Sequence, residues 1–287
     1  MEYKIQKLPT NKFPPQFLEI PEPPTQLYIQ GSLPEDHIFL CVVGSRKYSQ
    51  YGKEACQRII AGLRGHKITI VSGLALGIDA VAHQAALDAG LNTIAVPGSG
   101  LNPDVLYPST NTNLAKRILK SGGALLSEFE PDFKATIWSF PKRNRIMAGL
   151  SQAVLIIEAE EKSGTLITAR MALDYNKDVF VIPGSIFSQN SKGTNKLIKR
   201  GAMPISSSDE LLEELGLKDE DFSFQDESQI QNCSPEEKVV LDLLLDPTEK
   251  DELLRKINLP INEANALLSA MEIKGLIRES LGEIHRM

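Results

Sequence analysis

From Ile38 onward the chain carries short apolar runs at regular intervals. They are Ile38–Val43, Lys67–Val71, Thr93–Val96, Ala124–Leu126, Ala153–Ile157, Val179–Ile182 and a weaker Met203–Ile205. None alternates with polar residues, as a strand with one wet face would. Such runs are buried on both faces, as in a parallel sheet covered by helices. The segments between them, such as Gln50–Leu63 and Asp79–Ala89, space their apolar residues helically. The pattern predicts an α/β fold over residues 38–215: a doubly wound, mostly parallel Rossmann-like sheet. Residues 1–37 are proline-rich and lack periodicity. They predict an extended N-terminal arm laid on the main domain, with Leu27-Tyr28-Ile29 as an edge strand.

A helix over Asp209–Leu215 leads into an acidic, irregular stretch, and residues 216–233 are expected to form a linker. Ser234-Pro235-Glu236-Glu237 then reads as a helix start, with an N-cap serine, proline at the first helical position and glutamates in the first turn. Helices over Pro235–Leu245, Lys250–Ile257 and Ile261–Lys274 are followed by a hairpin-like end, Leu276–Glu279 and Glu283–Arg286. This order predicts a small C-terminal winged-helix domain over residues 234–287. In its third helix, Ala264, Leu267, Leu268, Met271 and Ile273 form the expected core stripe.

Composition adds limits. The chain of 287 residues is 42% hydrophobic and 24% charged, within the range of globular proteins. No apolar run has the length of a membrane helix, and no secretory leader is visible, so a cytoplasmic protein without membrane insertion is expected. Cys41, Cys56 and Cys233 have neither disulfide nor metal-site spacing, and no metal or cofactor is expected. The net charge of −6 argues against nucleic acid, but the charge is unevenly spread. Residues 134–145 hold four bases and no acid, whereas residues 209–227 hold nine acids and one lysine.

Ligands of open α/β sheets bind beyond the carboxyl ends of the strands. Here those ends read Gly44-Ser45-Arg46, Ser72-Gly73-Leu74-Ala75, Pro97-Gly98-Ser99-Gly100, Ser163-Gly164-Thr165 and Pro183-Gly184-Ser185. Glycine allows close backbone approach, helix N-termini present N–H groups to an anion, and hydroxyls add donors. Each turn alone is explained by tight chain reversal; together they favour phosphate binding. No G-x-G-x-x-G or Walker A motif is present, so a dinucleotide or nucleoside triphosphate is not indicated. Arg46 instead supplies a guanidinium suited to phosphate. Trp138-Ser139-Phe140-Pro141-Lys142-Arg143-Asn144-Arg145 sets aromatic faces beside clustered bases, the combination that single strands require. The plainer reading puts Phe140 in the core, and for Trp138 it stands level with the functional one. Asp79 and His83, four apart on one helix, are the best acid–base candidate, with turn closure and packing as the plainer roles.

Five motifs in order resemble the DNA-processing protein A (DprA/Smf) family: Val43-Gly44-Ser45-Arg46, Ser72–Ala75 with Gly77-Ile78-Asp79 and His83, Phe140-Pro141 with Arg143–Ile146, Ser163–Ala169, and Val181–Ser185. The resemblance implies a Rossmann-like domain that binds single-stranded DNA. It also implies a homodimer that protects incoming DNA and loads the RecA recombinase in natural transformation, without catalysis. It assigns the main phosphate contact to Arg46, and the rest of the site to Gly44, Ser45, Gly73, Leu74, Arg143, Asn144, Arg145, Ser163, Gly164 and Thr165. Leu76 and Ser109 stand where the family often has a base. The helix and strand around Lys196–Ile205 are the expected dimer surface. Two other readings compete: an enzyme of the nucleoside-monophosphate-processing Rossmann group, whose turn Pro97-Gly98-Ser99-Gly100 and Pro183-Gly184-Ser185 only partly imitate and whose glutamate has no correctly placed counterpart, and a ligand-sensing winged-helix regulator.

Overall fold

A computed structural model of the chain describes residues 3–217, 234–244, 248–257, 259–274, 276–280 and 283–286. The chain divides into two compact units, one ending at Lys218 and one beginning at Asp219. The acidic linker expected over 216–233 lies, beyond Leu217, outside the described residues.

The first unit is built on a nine-stranded sheet in the order β1-β2-β6-β5-β4-β3-β7-β8-β9. The strands are β1 (Gln6–Leu8), β2 (Leu27–Gly31), β3 (Ile38–Val43), β4 (Ile68–Ser72), β5 (Asn92–Ala95), β6 (Ala124–Ser127), β7 (Ala153–Ile156), β8 (Asp178–Val181) and β9 (Met203–Pro204). From β6 through β9 all neighbours are parallel. The helices are α1 (Gln50–Ala61), α2 (Ile78–Asp88), α3 (Thr112–Lys120), α4 (Ser139–Leu150), α5 (Thr165–Asp174), α6 (Lys192–Ile198) and α7 (Ser208–Glu214). No helix among the described residues is long and apolar enough to cross a membrane.

β3 explains the unbroken apolar runs. Leu40 and Val42 pack with Ile59, Ile60, Ile78 and Ala82 on one face. Cys41 and Val43 pack with Ile146, Met147, Ala169 and Ala172 on the other. A polar residue at any of these positions would have to lose water on whichever face it pointed to.

The N-terminal segment departs from the expected arm. Leu27–Gly31 is not an edge strand: β2 pairs antiparallel with both β1 and β6, and β1 takes the edge. Phe17, Ile20, Leu27 and Ile29 belong to the main hydrophobic core. The prolines sit in the irregular connections, where no ladder hydrogen bond is lost. Two added strands thus continue the sheet beyond β6.

The sheet grows in one direction from β3 through β4, β5 and β6, then returns beside β3 at β7 and grows the other way. The connections leaving β3 and β7 diverge, which opens a crevice at their carboxyl ends.

The second unit holds α8 (Pro235–Leu243), α9 (Lys250–Lys256) and α10 (Ile261–Ile273), with a small sheet of β10 (Thr248–Glu249), β11 (Ile277–Ser280) and β12 (Glu283–Arg286). Ser234 and Glu237 form the reciprocal capping box at the start of α8. Ala264, Leu268 and Met271 of α10 are buried with Val240, Leu253, Ile277 and Ile284, and Leu267 packs half-buried beside them. The Ile273 side chain, expected in that stripe, lies outside the described ones.

Candidate functional site

A cleft of about 480 Å³ opens where β3 and β7 end. The loop after β3 contributes Gly44, Ser45, Arg46 and Lys47; α4 contributes Phe140, Arg143 and Asn144. The approach to α5 and its first turn contribute Lys162, Ser163, Gly164, Thr165 and Thr168.

The loop carrying Arg46 is held from below. Ser45 is buried, its hydroxyl accepts the Lys47 N–H at 3.0 Å, and its carbonyl accepts the Ile78 N–H at 3.1 Å. Gly77 has φ +91°, and a Cβ there would strike the Ser45 carbonyl and the Arg46 backbone. A Cβ on Gly44 would lie 2.7 Å from Ile78 Cγ1. These two glycines therefore let the first and second strand-end loops pack together. Arg46 projects from this fixed loop, exposed, with its guanidinium carbon 5.4 Å from the Phe140 ring centroid. Phe140 rests against Gly98, where a Cβ would come within 2.7 Å of the ring.

The opposite wall is the start of α5. The Thr165 hydroxyl donates to the Gly44 carbonyl at 3.1 Å, tying α5 to the first loop. The Ser163 hydroxyl accepts the Thr165 N–H at 3.1 Å. Beside Gly164 is open space where a side chain would stand. The positive end of the α5 dipole faces the cleft together with exposed Arg46, Lys47 and Lys162, against one exposed acid, Glu160. An anion is the ligand this balance favours.

Arg143 belongs to the floor of the cleft and is not exposed in it. It is buried, and its Nη1 donates to the carbonyls of Gly73 and Val96. A Cβ on Gly73 would collide with that guanidinium. The Arg143 charge faces Asp79, whose carboxylate accepts the Gly73 N–H at 3.1 Å. Burial raises the Asp79 pKa although Arg143 and the N–H groups of Ala75 and Gly73 pull it down. Asn144 accepts from Arg143 Nε at 3.0 Å. The pair clamps the carboxyl ends of β4 and β5 to α4.

The structure brings most of the expected residues to one cleft, with exceptions. Gly73 lines a small niche next to it. Leu74 is fully buried at φ +57°, so only its backbone is near the surface. Arg145 does not reach the cleft. It is buried on the far side of α4, donating to both Glu128 oxygens at 2.6 and 2.5 Å and to the Glu22 carbonyl. Positions 143 and 145 point to different faces of α4 because two residues turn a helix through about 200°.

Two strand ends also do other work. Gly98-Ser99-Gly100 is buried and makes room for Phe140 and for the backbone of Glu130 and Pro131. Pro183 accepts the Tyr51 hydroxyl at 2.6 Å, beside a different cavity.

The candidate acid–base groups are engaged in structure. His83 is buried, its Nδ1 is 2.7 Å from Thr93 Oγ1, and burial pushes its pKa down to about 3. Glu158 accepts the Ser49 N–H at 2.9 Å and the Ser49 hydroxyl at 2.5 Å, fixing the N-cap of α1.

Reasoning from the sequence missed Lys47, Lys162 and the place of Phe140 under Arg46. Lys162 carried a signal, since it directly precedes the Ser163-Gly164-Thr165 turn. Phe140 was marked as an aromatic beside clustered bases, but nothing local placed it under Arg46, since its neighbours there come from other loops. Trp138 is exposed and sets its edge against Phe129 and Phe133, at 5.9 and 5.4 Å between centroids.

Comparison with known proteins bears on the family and the fold. Residues 4–216 match the family described as DNA recombination-mediator protein A, and residues 226–283 match the DprA winged helix domain. Protein Smf of Escherichia coli K12 is 39% identical over 272 residues, covering 92% of this chain and 72% of that protein. The X-ray structure of DNA processing protein A from Streptococcus pneumoniae superposes with a TM-score of 0.69 at 40% identity, over 74% of each chain. DNA processing protein A from Helicobacter pylori, whose structure is described for its single-stranded DNA binding mode, superposes with a TM-score of 0.67 at 32% identity, over 75% of this chain and 96% of that one. The chain belongs to the DNA recombination-mediator protein A family.

Proposed function

We propose that this protein holds single-stranded DNA along the cleft at the ends of β3 and β7, with phosphates on Arg46, Lys47, Lys162 and the N-terminus of α5. The observation that carries this reading is Arg46 itself: an exposed guanidinium on a loop fixed by glycine contacts, seated over an aromatic ring at the mouth of an open cationic cleft. Gly44, Ser45, Gly164 and Thr165 shape the backbone that meets the strand. Arg143 and Asn144 act from beneath by fixing the floor. The single-stranded DNA binding described for the Helicobacter pylori relative supports the same use of this fold.

The activity is binding without bond cleavage. Asp79, His83 and Glu158, the groups a hydrolytic reading would need, each hold a loop or a helix start in place. In its cellular setting the protein works in the cytoplasm, protects incoming DNA and loads the RecA recombinase in natural transformation. It acts as a homodimer, joined through the surface around Lys196–Ile205. The decisive test is titration of the full chain with oligo-dT, with duplex DNA and nucleoside monophosphates as competitors. Oligo-dT binding that is weakened in Arg46→Ala supports the reading. Equal affinity of wild type and variant removes Arg46 from the site, and turnover of a nucleoside monophosphate favours an enzyme.

A further inference from the structure

The loop after β8 lies outside the cleft and holds part of the chain that lines it. Asn190, in the single turn Gln189–Ser191 before α6, donates from Nδ2 to the Lys47 carbonyl at 2.9 Å. The same Nδ2 donates to Glu158 Oε2 at 3.4 Å. Lys47 lines the cleft; Asn190 and Glu158 do not. The Lys47 N–H donates to the Ser45 hydroxyl at 3.0 Å, so both main-chain polar groups of Lys47 are held. Its side chain is exposed.

The supports are themselves fixed. The Asn190 carbonyl accepts the Ala159 N–H at 2.8 Å, and the Ala159 carbonyl accepts the Gly193 N–H at 2.8 Å. A Cβ on Gly193 would lie 2.6 Å from that carbonyl oxygen, so the start of α6 packs directly on the chain leaving β7. Glu158 is 1% exposed, and its oxygens accept the Ser49 N–H, the Ser49 hydroxyl and the Asn190 carboxamide. Ser49 in turn caps α1 by accepting the Gly52 N–H at 3.1 Å. A carboxylate buried among neutral donors costs free energy unless its lone pairs are used, and the N-terminus of α1 offsets part of that cost. The loop is thus anchored at Ser45, whose carbonyl accepts the Ile78 N–H, and at Ser49, and Asn190 grips the chain between them.

We propose that Asn190, oriented by Glu158, is a positioning residue for Lys47, and so belongs to the binding apparatus without touching the strand. The inference rests on the reading that the cleft holds single-stranded DNA on Arg46, Lys47 and Lys162. A lysine meets a phosphate as a point charge on a flexible stem, and its attraction falls with distance. Where its Cα stands therefore decides which phosphate it reaches and how closely. Without the Asn190 donor the Lys47 carbonyl turns to water, and the segment from Arg46 to Tyr48 loses its tie in the middle. The ordering of that segment is then left to the moment of binding, where it opposes affinity. A carboxamide suits the place, since one nitrogen serves two acceptors, whereas a carboxylate of the same shape has no proton to give to either.

The test titrates oligo-dT against the full-length wild type, Asn190→Ala, Asn190→Asp, Lys47→Ala, the double variant Lys47→Ala with Asn190→Ala, and the swap Glu158→Gln with Asn190→Asp. Salt dependence and thermal melts are measured for each. Asn190→Ala should stay folded and bind about fivefold more weakly, the scale of one lost hydrogen bond. Its log–log salt slope should fall toward that of Lys47→Ala, which loses roughly 0.7. In the Lys47→Ala background the same change should cost less than about twofold, because its effect passes through Lys47. Asn190→Asp should bind as weakly as Asn190→Ala. In the swap, the amide introduced at position 158 can donate to the new carboxylate at 190, but the Lys47 carbonyl still has no donor. Stability should therefore return in the swap and affinity should not. Recovered affinity in the swap overturns the proposal, because Asn190 would then be only a structural partner of Glu158. Wild-type affinity in Asn190→Ala, or equal losses with and without Lys47, also overturns it, and a weakened Lys47→Ala leaves the cleft reading standing. A Lys47→Ala protein with wild-type affinity and slope removes Lys47 from the site and the proposal with it. A wild type that does not bind oligo-dT overturns both.

Discussion

The Arg46 guanidinium lies 5.4 Å from the centre of the Phe140 ring, although the two residues are 94 positions apart in the chain. The ring faces the cation and limits where it can swing, and the fixed loop below limits it further. A long, flexible side chain is thereby positioned before a phosphate arrives. Replacing Arg46 by alanine should weaken oligo-dT binding by about 1.5–3 kcal/mol, the scale of a hydrogen bond to a charged group. The log–log salt slope should shrink by roughly 0.7 for one lost phosphate contact on a single strand. The melting temperature should hold, since the side chain is exposed. An Arg46→Ala protein with unchanged slope and affinity would contradict the placement.

Arg145 should behave in the opposite way. Its guanidinium and the Glu128 carboxylate are both about 7% exposed and bonded through two contacts. Removing Glu128 leaves the buried Arg145 guanidinium without its counter-charge, which costs about 3–5 kcal/mol, whereas Glu128 without Arg145 keeps Lys142 at 3.7 Å. Glu128→Ala should therefore lose this much in urea denaturation. Arg145→Ala should also be destabilised, yet bind oligo-dT with near wild-type affinity at temperatures where it is folded. A stable Arg145→Ala that has lost DNA binding would return this residue to the site.

Gly77 should be intolerant of any side chain. Its φ of +91° is a conformation that L residues rarely adopt, and a Cβ would strike Ser45 and Arg46. Gly77→Ala should cost about 1–3 kcal/mol, the range for a residue held in a sparsely populated conformation. The same change should lower oligo-dT affinity by moving the loop that carries Arg46. Thermal denaturation and titration on one preparation check both effects; wild-type values for the two would show that the contact is relieved elsewhere.

His83 gives the fold an acid limit. Its pKa is about 3 in the folded protein because burial disfavours the charged ring, against an ordinary value of 6.5. The unfolded chain takes up a proton that the native state refuses. The contribution is therefore complete above pH 6.5 and is lost as pH falls through 6.5 toward 3, at about 1.4 kcal/mol per pH unit. Asp79, whose pKa burial raises, works in the other direction: the native state takes its proton first, so its contribution falls as pH rises past the ordinary carboxylate value. Denaturation curves between pH 6.5 and 4.5 should be flatter for His83→Gln by about one proton than for wild type. Identical slopes would mean that His83 is charged in the native state.

The winged-helix unit should contribute little to DNA affinity. Residues 234–287 carry eleven acids and seven bases. On α10 the exposed positions include Glu263, Ala266, Ser269 and Glu272, and the base that follows, Lys274, pairs with Glu237 at 2.7 Å. Phosphates would be repelled on average. Residues 230–287 expressed alone should bind neither duplex nor single-stranded DNA below micromolar concentration at about 100 mM salt, where screening is already substantial. Residues 1–215 should keep most of the oligo-dT affinity. Submicromolar binding by the isolated C-terminal unit would reverse this assignment.

Much of the protein was readable along the chain because its signals are local. An unbroken apolar run marks a strand covered on both faces, and the parallel strands from β3 to β8 were marked in this way; β9, exposed at the edge, gave only a weaker run. Ser234 and Glu237 announce a helix start because the capping box closes within one turn. The Gly-Ser and Gly-Thr turns mark the edge of the sheet where the cleft opens, since the backbone demands of a strand end are met by a few adjacent residues. Other features depended on distance in space. Proline-rich residues before Ile38 gave little periodicity, yet β2 found its partner in β6, about 100 residues further on. Arg143 and Arg145 look alike in the chain, but the turn of α4 sends one under the cleft and the other to Glu128. Five glycine-bearing strand ends look equivalent, but the sheet reverses its growth only between β3 and β7, and the loops around that crevice line the main cleft. Phe140 became the support of Arg46 because Gly98, from a third loop, leaves room for its ring. Local sequence determines which backbone conformations and which chemistry are on offer. Which charges are buried, paired or left for a ligand is decided only when distant segments pack, because burial and pairing are properties of neighbours that the chain brings together by folding.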